Sequence, residues 1–170
     1  MVARLAESTL KTQYGTYREY LYYDGKMQIP VLVMGEVKGQ SEVLCRVHSA
    51  CLYAHAFNSI ECDCREQMAG SQQQIQQAGK GILIWMDQEG KGNGHLALMK
   101  SIPLKKAGLS QAQAYVEAGY QSDARDFSAA AKILQDLGVA SISMLTGNPK
   151  KVETLTQFGV LVSSTQNPLG

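Results

Sequence analysis

Charge is scarce in this chain and almost balanced. Asp, Glu, Lys and Arg make up 18% of the 170 residues, and 16 basic against 15 acidic side chains leave a formal net charge of +1. That excludes a global field for nucleic acid or an anionic membrane, so neither is an expected partner and any basic function must be local. No apolar run approaches the roughly 18 residues of a membrane span, and the opening Met1–Glu7 lacks the apolar core of a signal peptide. Internal repeats, linkers and low-complexity segments are missing too, which argues against a second domain. What remains is an ordinary soluble composition, 45% apolar, with enough chain for one sizeable core. Cysteines are few, four in all, but their clustering suits a reducing compartment and a metal better than disulfides. A cytoplasmic protein is expected.

Cys51, Cys62 and Cys64 follow a C-x10-C-x-C spacing around a helix start. Asp63 and Glu66 have the spacing of a capping box, and the glutamine-rich run behind them, ending at Gly79, reads as a polar-faced helix. Cys62 and Cys64 therefore flank a helix N-terminus, where free N–H groups and the dipole favour thiolate, the form that zinc binds. Their charged neighbours Asp63, Arg65 and Glu66 argue against merely buried thiols, a common fate of free cysteine. A structural zinc closes its tetrahedron with four protein ligands, whereas a catalytic one keeps a position for water. Cys45 alternates with Val43 and Val47 and is expected to face the core. His48 and His55 are the other candidates for a fourth ligand, so an open site is favoured and a closed one is the alternative.

Residues 1–15 form a short mixed extension ending in a polar turn. Thr16–Tyr23, Pro30–Val37 and Glu42–His48 read as an antiparallel meander with turns at Asp24-Gly25 and Lys38-Gly39-Gln40, its third strand delivering Arg46 and His48 towards Cys51. Tyr20, Tyr22 and Tyr23 are better explained by packing across a sheet than by stacking on bases. Ile82–Met86 is a buried strand emptying into the glycine-rich loop Asp87–Gly94. That loop fits neither a Walker loop nor the dinucleotide fingerprint. It follows a buried strand, where open α/β sheets place ligands, although a plain surface loop explains it equally.

Leu96–Ala107 is helical, with a kink or break near Ile102 expected from Pro103. Ser110 and Gln113 box the start of a short helix ending at Gly119. Phe127, Ala130, Ala131, Leu134 and Leu137 form a core stripe closed by Gly138. Arg125 lies in or just before the first turn of that helix, against its dipole, which either a solvated side chain or a bound anion explains. After a strand at Ser141–Leu145, Asn148 and Pro149 suit the N-cap and first position of a helix. Thr146, Lys150 and Lys151 there make either a phosphate seat or an ordinary capped helix with solvated lysines. Val160–Ser164 is a last strand, and residues 165–170 are a polar tail. The expected class is mixed α/β (α+β): a single domain over 1–170, with N-terminal antiparallel strands followed by alternating helices and strands around a mixed sheet.

Taken together, these residues resemble the GTP cyclohydrolase II family of riboflavin biosynthesis. The likeness runs co-linearly from about Val43 to Val162. Its motifs are Arg46-Val47-His48-Ser49, Cys51, Cys62-x-Cys64, Gln67, Gln88-Glu89-Gly90, Asp123-x-Arg125-Asp126-Phe127 and Thr146-x-Asn148-Pro149-Lys150-Lys151. The resemblance implies a zinc- and magnesium-dependent hydrolase of C–N bonds, usually a homodimer, that opens the imidazole ring of GTP at C8 and releases formate and pyrophosphate. It implies that Cys51, Cys62 and Cys64 hold zinc, that Arg125 is the nucleophile toward the α-phosphate, and that Asp123 accepts a proton. Gln67, Glu89, Gly90 and Lys91 then grip the substrate, Thr146 and Lys151 contact phosphate, Arg46, Val47, His48 and Ser49 line the pocket, and Mg2+ accompanies the phosphates.

Against the family pattern, Ala50 replaces a glutamate, Gln111 replaces a substrate-binding threonine, and Lys91 replaces an arginine, losing its bidentate fork. Ile102 stands where the resemblance puts an active-site tyrosine, and it can neither donate a hydrogen bond nor move a proton. The segment after Ser164 lacks the family's usual basic character. The expectation is a GTP cyclohydrolase II-like enzyme. The alternatives are ring opening without formate release to a formamidopyrimidine, action on another purine or pyrimidine, and a non-catalytic nucleotide-binding protein.

Overall fold

The computed structural model describes residues 1–170. Its strands are β1 (Ala3–Thr12), β2 (Gly15–Tyr23), β3 (Gln28–Met34), β4 (Val43–Ser49), β5 (Gly81–Met86), β6 (Ile142–Leu145) and β7 (Val162–Gln166). Its helices are α1 (Leu52–His55), α2 (Cys64–Ala78), α3 (His95–Lys106), α4 (Gln111–Glu117), α5 (Ser128–Leu137) and α6 (Pro149–Gln157), with a 3-10 turn at Glu89–Gly92. All seven strands form one mixed sheet in the order β1-β2-β3-β5-β4-β6-β7. This is the mixed α/β class expected.

The expected meander is corrected. β1, β2 and β3 pair antiparallel, but β3 continues onto β5, and β4 lies beyond it, parallel to β5 and to β6. β5 takes the interior place because Ile82, Leu83, Ile84 and Met86 are all buried, so apolar cover is needed on both faces. The 1–15 extension is also corrected, since Ala3–Thr12 is a ten-residue edge strand. β1 is exposed along nearly its whole length and is tied to the rest of the fold by its ladder with β2 and by Arg4. The Arg4 guanidinium lies 4.2 Å over the Tyr20 ring and donates to Asp136 at 2.7 Å. The Tyr22 hydroxyl donates to the same carboxylate at 2.6 Å. α3 runs unbroken through Pro103; the carbonyl deprived of a donor belongs to Met99, which is 52% exposed and can be hydrated. The last strand begins at Val162 and takes in Thr165 and Gln166 of the expected tail.

Alternation along β4 separates the two faces of the sheet. Val43, Cys45 and Val47 join Ile82, Ile84 and Met86 against Ala130, Ile133 and Leu134 of α5 and Leu155 of α6, each large apolar side chain contributing about 2 kcal/mol. On the other face, Ile75 of α2 packs with Tyr17 and Leu145. A Cβ on Gly81 would lie 2.5 Å from Ile75 Cγ1, so only glycine lets α2 approach so closely. Arg46 and His48, out of phase with the valines, project on the α2 side.

Candidate active site at the carboxyl ends of the parallel strands

β4 leads into Ala50-Cys51, β5 into Asp87–Gly94, β6 into Thr146–Lys151 and β7 into Asn167–Leu169. These four exits lie at the carboxyl ends of parallel strands, where α/β sheets place their ligands. A cavity of about 330 Å³ opens among Arg46, Asp63, Gln67, Arg125, Thr146 and Lys151, with Asn167–Leu169 at its rim. A larger hollow of about 490 Å³ lies along residues 58–66, lined in part by Cys62, and shares Asp63 with it. The smaller one holds the buried cations.

Cys51 is the N-cap of α1, Cys64 is the first residue of α2, and Cys62 lies two residues earlier. The three sulfurs all lie within 4.8 Å of one another, with Cys51 Sγ and Cys62 Sγ 3.6 Å apart. A tetrahedral zinc with Zn–S bonds of about 2.3 Å separates its sulfurs by about 3.8 Å, so the donor set and its spacing fit zinc. Burial and the neighbouring sulfurs push the Cys64 thiol up to about 12, a penalty that a bound cation would reverse. The cluster brings together three donors, all of them cysteine. Cys45 lies in the core as expected, its thiol pushed up to about 12 by burial.

His48 serves Arg46 instead. Arg46 Nε donates to His48 Nδ1 at 3.3 Å, so the proton of the neutral ring sits on Nε2, which meets His55 Nε2 at 2.9 Å. The His48 ring stacks on Trp85, centroids 5.6 Å apart. Burial and the Arg46 charge push His48 down to about 2, keeping it neutral at every working pH.

Arg46 is only 4% exposed. Its Nη1 donates to the Leu145 carbonyl at 2.8 Å and its Nη2 to Gln67 Oε1 at 2.6 Å, while Gln67 Nε2 donates to Asp63 Oδ1 at 2.8 Å. Asp63 therefore holds Gln67 and makes no side-chain cap, which corrects the expected capping box. Arg46, Gln67 and Asp63 form one chain from β4 to the helix start that carries Cys64.

Asn148 caps α6 as expected, its Oδ1 accepting from Lys150 N at 3.0 Å, and Thr146 Oγ1 accepts from Asn148 N at 3.0 Å. The two lysines behind them differ. Lys150 is half-exposed, 3.3 Å from Asp123. Lys151 is 5% exposed, and its Nζ donates to the Val47 carbonyl at 2.9 Å. Burial, then Arg46 and Arg125, push Lys151 down to about 7. Val47 thus enters the site through its backbone only, its side chain lying in the core.

Arg125 precedes α5 and folds back onto Asp123. Its Nε and Nη2 donate to the two carboxylate oxygens at 3.0 and 2.8 Å, and its backbone N–H donates to Oδ1 at 3.1 Å. Burial opposes ionisation of Asp123, but these bonds outweigh it and hold the carboxyl well below the usual carboxylate range. The segment rests on the glycine-rich loop, where Lys91 O accepts from Ala124 N at 2.8 Å. Gly92 has φ +83°, and a Cβ there would lie 2.7 Å from the Ala124 carbonyl. Lys91 itself sits at φ +51°, a conformation that costs a non-glycine residue about 1 kcal/mol or more.

Glu89 Oε1 accepts from Leu52 N at 3.1 Å and from His95 Nδ1 at 2.9 Å, so this carboxylate is engaged within the protein. Ser49 Oγ and Gln88 Oε1, at the ends of β4 and β5, are buried without a partner, leaving hydrogen-bonding capacity free. Gln111 Nε2 donates to Ser101 Oγ at 2.9 Å, between α4 and α3. Tyr115 brings a phenol near Gly90, its hydroxyl 3.6 Å from where a Cβ would stand, but it is 1% exposed. The parts not singled out from sequence are the Asp63–Gln67 pair, visible only as an i, i+4 spacing, and Asn167–Leu169, for which no local signal exists.

Three sulfurs that could hold a metal ion, joined through α2 to buried cations at the carboxyl edge of a mixed sheet, make the candidate active site. Comparison with known proteins places the chain among hydrolases of C–N bonds. Residues 3–167 match the family model described as GTP cyclohydrolase II. A GTP cyclohydrolase-2 of Streptomyces coelicolor is 40% identical over 172 residues, 99% of this chain and 76% of that protein. Another, of Actinobacillus succinogenes, is 36% identical over 163 residues, 95% of this chain and 75% of that protein. The chain belongs to the GTP cyclohydrolase II family. In fold it is similar to RibBX, a two-domain 3,4-dihydroxy-2-butanone 4-phosphate synthase from A. baumannii, with a TM-score of 0.56 and 23% identity. That match covers 97% of this chain, which spans 40% of that one.

Proposed function

We propose that this protein, acting as one domain over residues 1–170, hydrolytically opens the imidazole ring of GTP in riboflavin biosynthesis, releasing pyrophosphate and formate. The observation that carries the reading is the hydrogen-bonded chain Asp63–Gln67–Arg46. It joins the helix start bearing Cys64 to the cavity shared by Arg46, Arg125 and Lys151. Base and triphosphate chemistry would then be linked through one hydrogen-bonded chain. Cys51, Cys62 and Cys64 would hold zinc, which when bound supplies Lewis acidity for C–N hydrolysis. Mg2+ would accompany the phosphates, and the protein would work in the cytoplasm as a homodimer.

The residues of the cavity divide the remaining work. Arg46 and Lys151 offset phosphate charge, and Thr146 and Gln67 offer polar contacts at its wall. Ser49 Oγ and Gln88 Oε1 bring unspent hydrogen bonds to the strand ends. For Arg125 to attack the α-phosphate, a guanidinium proton must leave, and Asp123 already accepts from both Nε and Nη2. In this geometry Asp123 is a weak base. Its proton affinity rises as Arg125 turns from it to phosphorus, which couples proton transfer to attack.

One further reading has an observation of its own. Neither Ile102 nor the 1%-exposed Tyr115 presents a hydroxyl to the cavity, which favours ring opening that stops before formate leaves. Zinc-loaded protein with GTP and Mg2+, assayed for formate and pyrophosphate and by product mass, separates the cases. Both products together support the full reaction. Pyrophosphate with the formyl carbon retained supports the shortened one, and Ile102→Tyr should then raise formate. Unchanged GTP refutes both and moves the reading to another heterocycle, consistent with Ala50 and Lys91, or to a nucleotide-binding protein.

A further inference from the structure

Helix α1 is four residues long, far below the length at which a helix sustains itself in water. Its N-cap is nevertheless Cys51, one of the three sulfurs of the metal corner. Ties from outside must therefore fix it. The first is backbone, Ala50 N donating to Met86 O at 2.8 Å. The second runs through side chains. The Leu52 N–H donates to Glu89 Oε1 at 3.1 Å, and His95 Nδ1 meets the same oxygen at 2.9 Å. Facing a carboxylate oxygen, that nitrogen must carry the proton. The His95 ring also meets Tyr53 edge-on, centroids 4.9 Å apart. One imidazole at the start of α3 thus reaches two consecutive residues of α1, Tyr53 directly and Leu52 through Glu89.

We propose that His95 is a positioning residue for the metal corner: it locks Glu89 onto the Leu52 amide and so holds Cys51 with its sulfur turned towards Cys62. The Leu52 amide follows Cys51 directly, so fixing it fixes the backbone of Cys51, which is extended at φ −141°, ψ 101°. Without His95, Glu89 keeps one donor and can swing to water, and a helix of a single turn does not hold its own N-cap. The inference rests on the zinc reading above. It concerns affinity, because His95 touches no sulfur.

The test uses the full chain with His95→Leu, which keeps helix propensity but donates nothing, and His95→Gln, whose amide can still donate to Glu89. Zinc affinity is read by competition with a chromophoric chelator, and the cobalt-substituted proteins by their thiolate charge-transfer absorption. His95→Leu should bind zinc about 10- to 100-fold more weakly and show weakened cobalt–thiolate bands. His95→Gln should stay close to wild type, with the metal-free melting temperatures of both unchanged. Wild-type affinity and spectra in His95→Leu would overturn the proposal, as would equal losses in both variants, which would assign the effect to packing on Tyr53. Cys62→Ser is measured alongside. If it binds zinc as the wild type does, the metal reading of the three sulfurs has failed and the role of His95 falls with it.

Discussion

Binding of a triphosphate at pH 8 should draw close to one proton onto the protein, and Lys151 should receive it. Burial, with Arg46 and Arg125 nearby, pushes this amine down to about 7, so at pH 8 about nine-tenths of it is neutral and at pH 6 about one-tenth. Phosphate charge beside the amine favours its protonated form, offsetting the burial and both arginines and raising its pKa well above 8. Uptake is then about 0.9 proton at pH 8 and about 0.1 at pH 6. By linkage, the lysine-dependent part of the affinity falls about tenfold between those values, about 1.4 kcal/mol. His48, held at about 2, and Asp123, held ionised, change charge at neither pH. The last ionisation of the nucleotide acts in the opposite direction, so the comparison is with Lys151→Met. Calorimetry of a non-hydrolysable GTP analogue in buffers of different ionisation enthalpy reads the uptake directly. Equal uptake by wild type and variant at pH 8 would refute the reasoning. Stability supplies a second sign. The folded pKa lies below the unfolded 10.5, so between about pH 7 and 10.5 the unfolded chain binds more protons and this group's penalty eases as pH rises. Below pH 7 the penalty is full, and Lys151→Met should stabilise the ligand-free protein more at pH 6 than at pH 9, by on the order of 3 kcal/mol.

Asp123→Asn removes the charge that receives three donors of Arg125; pyrophosphate release should fall by about 100-fold or more while analogue binding changes little, and undiminished release would remove Asp123 from the chemistry. Gly92→Ala sets a methyl 2.7 Å from the Ala124 carbonyl at φ +83° and should cost about 2–4 kcal/mol, lowering Tm by roughly 5–10 °C and displacing Arg125; wild-type Tm and turnover would contradict the loop's role as a floor. Cys62→Ser should lose its zinc, measured by metal analysis after dialysis, with the far-ultraviolet spectrum unchanged; retained stoichiometric zinc would place the ion elsewhere.

Much of what carries a local physical signature was legible in the sequence, the Pro103 kink being an exception. The α5 stripe, the Asn148-Pro149 helix start, the Ser110–Gln113 box and the core position of Cys45 all stand where residue periodicity and capping chemistry put them. Signals failed where a distant partner decides. β1 has no alternation to read, because it is exposed and depends on Asp136, 132 positions from Arg4. Asp63 and Glu66 have the spacing of a box, but the Gln67 amide, oriented by Arg46, claims the Asp63 carboxylate. Lys150 and Lys151 are indistinguishable as letters. Consecutive positions on a helix diverge by about 100°, which sends one to solvent and Asp123 and the other to the Val47 carbonyl.

The misplaced third strand of the meander has the largest consequence for function. A meander would leave β4 antiparallel to its neighbour, with Arg46–Ser49 running away from the end of the next strand. Inserting β5 between β3 and β4 makes β4, β5, β6 and β7 parallel, so their four carboxyl ends open on one edge. Cys51, the glycine-rich loop, Thr146–Lys151 and Asn167–Leu169 then meet, although they span more than a hundred positions of sequence. The crossovers this requires are α2, the α3–α5 segment and α6, and two of their starts furnish the site, Cys64 at α2 and Lys151 in the first turn of α6. The antiparallel half supplies an edge and a core wall but no residue of the cavity. Substitutions confined to β1 and β2 should therefore act on stability, and those at the exits of β4–β7 on chemistry.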